Sequence, residues 1–86
     1  MVKILKYPFD IADEVTLNMP ENSRVLSVQL QDNRPTLWAM VSTEMPMENR
    51  IFKIYDTGEE LANGSTPKKY IGTLQMDGFV KHIFEK

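Results

Sequence analysis

Val25-Leu26-Ser27-Val28-Gln29-Leu30-Gln31, then Asp32-Asn33-Arg34-Pro35, then Thr36-Leu37-Trp38-Ala39-Met40-Val41: this stretch decides the fold. In its first run, apolar and polar residues alternate. Leu26, Val28 and Leu30 fall on one face, and Ser27, Gln29 and Gln31 on the other. A period of two is that of a pleated, half-buried strand. Asp32 and Asn33 favour a turn through their short polar side chains, and Pro35 fixes φ beside it. The apolar run then resumes, so the stretch reads as a hairpin.

The same period recurs in both directions. Arg50 to Tyr55 sets Ile51, Lys53 and Tyr55 against Phe52 and Ile54. Tyr70 to Met76 and Phe79 to Phe84 flank Asp77-Gly78, a two-residue turn in which glycine accepts positive φ. Val2 to Tyr7 is a strand ended by Pro8, and Val15 to Met19 a weaker one ended by Pro20. Ser42 to Asn49, with Pro46 and two acids, reads as a loop. Gly58, Gly64 and Pro67 punctuate a polar connection. The one helical candidate is Ile11 to Leu17, capped by Asp10, but its valine and threonine favour strand. The expected fold is a single all-β domain over 1–86. It is a small antiparallel sandwich or partly open barrel of six to seven short strands, with at most one short helix.

Composition narrows the function classes. With 86 residues the chain has one small core and little room for an enclosed cavity. Twelve acids against ten bases give a net charge of −2, which makes nucleic acid an unlikely partner. The absence of cysteine removes disulfides, a thiolate nucleophile and a zinc finger, and fits a cytoplasmic setting. No signal peptide or membrane-length apolar run is legible, so no membrane role is expected. The glycines fit no phosphate-binding loop.

Several residues are candidates for chemistry. His82 is the only histidine; alternation with Val80 and Phe84 turns it with them towards the core or its rim. No serine sits in a nucleophile-elbow context, and one histidine makes no usual zinc site. Asp10, Asp13 and Glu14 cluster without the spacing or glycine of a calcium loop, so they read as a solvated segment or cap. Arg50, Lys53, Lys68, Lys69 and Tyr70 are binding candidates: cations and a ring that together could hold a phosphate or a nucleobase, or simply guard a strand edge. Trp38 is either a core residue or an interface anchor. Met45 and Met47, flanking Pro46, suit an adaptable contact surface. Gly72, inside a strand, marks a bulge or the close approach of another chain.

Two resemblances add to this. Asp56-Thr57-Gly58 after an apolar strand resembles the catalytic aspartate element of retroviral-type aspartic proteases, with Tyr70-Ile71-Gly72 as a loose echo of their second element. That likeness would imply a homodimer with one carboxylate from each subunit. It departs in Glu59, where a small residue is usual, and in the short spacing between Gly58 and Ile71, which leaves no room for a flap. The chain as a whole resembles small uncharacterised bacteriophage and prophage proteins. The residues that carry this are Lys6-Tyr7-Pro8, Met19-Pro20, Val25-Leu26-Ser27-Val28-Gln29, Leu37-Trp38-Ala39, Arg50-Ile51-Phe52-Lys53-Ile54, Thr57-Gly58, Tyr70-Ile71-Gly72-Thr73 and Val80-Lys81-His82-Ile83-Phe84-Glu85. That resemblance implies a phage accessory protein in the bacterial host cytoplasm and transfers no catalytic residue.

The expectation is non-enzymatic binding of a host protein or host signalling molecule, as in host take-over or counter-defence, with no cofactor. The alternatives are a nucleotide-sequestering oligomer, a virion component, and the Asp56 protease. A homo-oligomer is expected because uncovered β edges need protection.

Overall fold

A computed structural model describes residues 1–61 and 69–86. Seven strands follow one another: β1 (Val2–Pro8), β2 (Glu14–Pro20), β3 (Arg24–Gln31), β4 (Arg34–Ser42), β5 (Met47–Asp56), β6 (Lys69–Met76) and β7 (Phe79–Glu85). They form two antiparallel sheets, one ordered β1-β4-β3 and one ordered β2-β5-β7-β6. The sheets make a sandwich and do not close into a barrel. Among the described residues there is no helix, and Ile11 to Leu17 runs into strand β2 instead. There the backbone exchanges hydrogen bonds with β5, which its β-branched residues favour over a helix.

The core lies between the sheets. Leu37, Ala39 and Val41 from β4 meet Met19, Phe52, Ile54, Leu74 and Ile83 from the larger sheet, and each is at most 5% exposed. Each large apolar side chain buried this way contributes about 1.5–3 kcal/mol.

The hairpin β3–β4 forms as the sequence predicts. Asp32 and Asn33 both adopt positive φ, 50° and 64°, the two-residue turn whose twist matches its strands. The face assignment on β3 differs, however. A bulge between Val25 and Ser27 sets Leu26 and Ser27 together opposite Trp38. Val25, Val28 and Leu30 therefore face inward, while Leu26 is 42% exposed.

β7 also corrects the sequence reading. Ile83 is buried opposite Ile54, so Val80, His82 and Phe84 all point to the outer face. Strict alternation had the right partners together but the wrong side, because both parities of β7 are apolar. The expected loop 42–49 is shorter: Met47 is already in β5, opposite Pro20, and Pro46 accepts a hydrogen bond from the Glu21 amide at 2.8 Å.

The β6–β7 hairpin turns on Gly78, with φ +77° and open space around a virtual Cβ. Gly78→Ala should therefore lose about 1 kcal/mol from the left-handed backbone alone. Gly78→Asn should recover much of that, since asparagine tolerates this region. Urea unfolding of both variants checks it; equal losses would point to a side-chain clash.

Candidate functional site

The outer face of the four-stranded sheet follows from register. Tyr55 pairs with His82, and His82 with Thr73; Lys53 pairs with Phe84, and Phe84 with Tyr70. Directly opposed residues of antiparallel strands share a face. Two neighbouring rows result, Tyr55–His82–Thr73 and Lys53–Phe84–Tyr70. The Phe84 ring is met edge-on by Tyr55 at 5.8 Å and by Tyr70 at 5.4 Å, spacings typical of attractive aromatic pairs. Tyr70 remains 58% exposed.

His82 is held on both ring nitrogens. Its Nε2 lies 2.6 Å from Thr57 Oγ1 and its Nδ1 3.0 Å from Thr73 Oγ1. Thr73 Oγ1 is in turn 2.6 Å from the Tyr70 hydroxyl. A neutral imidazole has one donor and one acceptor, and each hydroxyl is both, so the chain of four groups can be satisfied throughout. Thr57 arrives from the turn after β5, where Gly58 has φ +85° and the Glu59 amide donates to the Asp56 carbonyl at 3.2 Å. Tyr55, Thr57, Gly58, Leu61, His82 and Phe84, together with the acidic residues Asp56 and Glu59, line a shallow hollow of about 280 Å³.

Chemically, this arrangement offers ring edges, an apolar floor and a fixed imidazole. Thr57 beside His82 has the contact of a nucleophile with its base. The third partner is a neutral hydroxyl where a triad carries a carboxylate. Asp56 does not supply it: it faces the other way and bonds Lys81 Nζ at 2.5 Å. Among the described residues no group of three or more His, Cys, Asp or Glu is placed to hold a metal ion.

The structure divides the sequence candidates. Lys53 and Tyr70 share one row with Phe84 between them. Arg50 faces the opposite side, because it is an odd number of residues from Lys53. It donates from Nε and Nη2 to Glu85 at 2.5 and 2.9 Å and from Nη1 to the Ser23 carbonyl at 2.8 Å. The hydrogen bonds that Arg50 donates to Glu85 raise its pKa above the ordinary value, with burial acting against them. Arg50 is thus a structural tie and not part of a patch with Lys53. Lys53 itself lies 3.5 Å from Glu14. Lys69 is exposed, while Lys68, with Gly64 and Pro67, lies outside the described residues. Trp38 is half-buried on the outer face of the other sheet. Met47 is exposed on β5 and Met45 half-buried in the preceding loop, so these three do not form one surface. Tyr55, Thr57, Thr73 and Phe84 were not singled out by sequence. Their shared parity on three strands was visible; that β5 and β7 are neighbours was not.

A family model described as a domain of unknown function, DUF7352, matches residues 1–86. The chain belongs to the DUF7352 family. No curated protein and no solved structure matches it. The family description carries no activity, so the reading of the DUF7352 domain rests on its own geometry. In this DUF7352 chain the rings and the imidazole are the densest grouping of ligand-competent side chains on the larger sheet.

Proposed function

We propose that this domain is a non-enzymatic binding module whose ligand lies on the outer face of the four-stranded sheet. The supporting observation is the pair of rows Tyr55–His82–Thr73 and Lys53–Phe84–Tyr70. Exposed rings on a sheet accept a flat aromatic group by stacking, and neighbouring hydroxyls and an imidazole can read its edge. Lys53 adds one cation at the rim. The ligand class that suits this is a small nucleobase-bearing molecule, a nucleotide signal included. We propose that such a module would act in the bacterial host cytoplasm by sequestering a host signalling molecule, the setting that the phage-like resemblance implies. In a homo-oligomer, the pairing of copies would also cover the open edges of the four-stranded sheet.

Thermal-shift screening and two-dimensional amide NMR against linear and cyclic nucleotides test this. Binding should move the amide signals of Tyr55, Tyr70, His82 and Phe84. Tyr70→Ala should weaken binding about tenfold while costing the fold only about 1 kcal/mol, the loss of the Phe84 ring contact. Absence of any shift at saturating nucleotide would sink the proposal.

A further inference from the structure

We infer that the free edge and outer face of the three-stranded sheet bind an extended, acidic polypeptide segment as an added strand beside β1. This stands apart from the ligand hollow on the other sheet.

β1 pairs only with β4, so its second edge is open among the described residues. Its register with β4 and that of β4 with β3 define the outer face. Ile4 lies opposite Met40 and Met40 opposite Arg24; Lys6 lies opposite Trp38 and Trp38 opposite Ser27. Val2 is 66% exposed, Ile4 59%, Leu26 42% and Met40 38%. The β3 bulge contributes to this face, since it moves Leu26 outward. An exposed contiguous apolar patch of this kind marks an interaction surface.

The charges on this face have one sign. The chain has more acids than bases, yet the strand positions facing outward here carry Lys6, Arg24 and Arg34 and no carboxylate. Of the bordering carboxylates, Asp10 lies 3.9 Å from Arg34 and Glu44 binds the N-terminal amine, while Asp32 is exposed in the β3–β4 turn. Lys6 reaches across β4 to the amide oxygen of Gln31 at 3.0 Å, and among the described residues Arg24 has no ion-pair partner. The face therefore favours an acidic occupant.

Backbone and side chains select a polypeptide. An added strand satisfies the open donors and acceptors of β1 and lays alternate side chains over the same face. Apolar residues then meet Val2 and Ile4, and carboxylates further along the same face meet Lys6. A nucleic acid would leave the exposed aliphatic residues against phosphate and meet a net negative protein.

The probe is a capped octapeptide whose alternate residues run valine, valine, glutamate, glutamate with threonine between them, so that one face carries both kinds, with a counterpart in which lysine replaces the glutamates. Trp38, the only tryptophan, reports on this face directly. The glutamate peptide should shift Trp38 emission to the blue, slow amide exchange along β1, and bind more weakly as salt rises. Lys6→Glu combined with Arg24→Glu should lower its affinity about tenfold and admit the lysine peptide. Equal binding of both peptides to the unmodified protein would overturn the inference. So would a larger Trp38 response to oligothymidylate or to anionic phosphatidylglycerol vesicles than to the peptide. No binding of the glutamate peptide at millimolar concentration would overturn it as well.

Discussion

Glu85→Ala is expected to destabilise the fold by about 3 kcal/mol, the largest effect of any single polar substitution here. Arg50 and Glu85 have side chains only 13% and 15% exposed, and they meet through two parallel hydrogen bonds. Such bidentate pairs are among the stronger polar contacts. Removing the carboxylate leaves a guanidinium in a largely dry position with its Ser23 carbonyl contact alone. Arg50→Met should cost less, because methionine keeps the apolar stem of the arginine packed and the carboxylate left behind, on the last residue of β7, can turn outward. It also frees the Ser23 carbonyl, so the loss remains near 2 kcal/mol. Urea unfolding of both single variants and the double variant measures the coupling. A Glu85→Ala loss below about 1 kcal/mol would mean the pair behaves as a surface contact.

Gly72→Ala is the second. A Cβ on Gly72 would stand 2.6 Å from Val28 Cγ1, and Val28 is 6% exposed. Valine is stiff about χ1, so the methyl cannot swing aside cheaply. Overpacking of this kind costs about 1–3 kcal/mol, and the reduced freedom of the unfolded chain returns less than 1 kcal/mol of it. The net loss should be about 2 kcal/mol. In a Val28→Ala background the same substitution should become nearly neutral, because the obstructing methyl is gone. An undiminished cost in that background would place the problem in the backbone of the bulge and not in the contact between sheets.

These two positions show where sequence reading succeeds and where it stops. Gly72 was legible as a bulge or as the close approach of another chain; the bulge is there, with register shifting between Tyr70 and Gly72, but what comes within contact is β3 of the facing sheet. Which chain approaches was not legible, and it is this chain's own Val28. Arg50 was legible as a cation beside Lys53. Its partner Glu85 lies 35 residues away, and no local pattern names it. Trp38 was left between core and interface; register puts it on the outer face, half-buried and opposite Lys6.

The sequence by itself determined an all-β domain of six to seven short strands and most of their turns, because period, β-branching and turn chemistry act over a few neighbouring residues; that Ile11 to Leu17 is strand and not helix came only with its pairing to β5. The tertiary structure alone decided which strands pair out of order, so that β7 lies beside β5 and brings His82 between Tyr55 and Thr73. It also decided which side of β7 is inside. Both of its faces are apolar, so only the competition to bury Ile83 against Ile54, across the whole sandwich, could choose. Long-range pairing is a property of the assembled core, and local alternation carries no record of it.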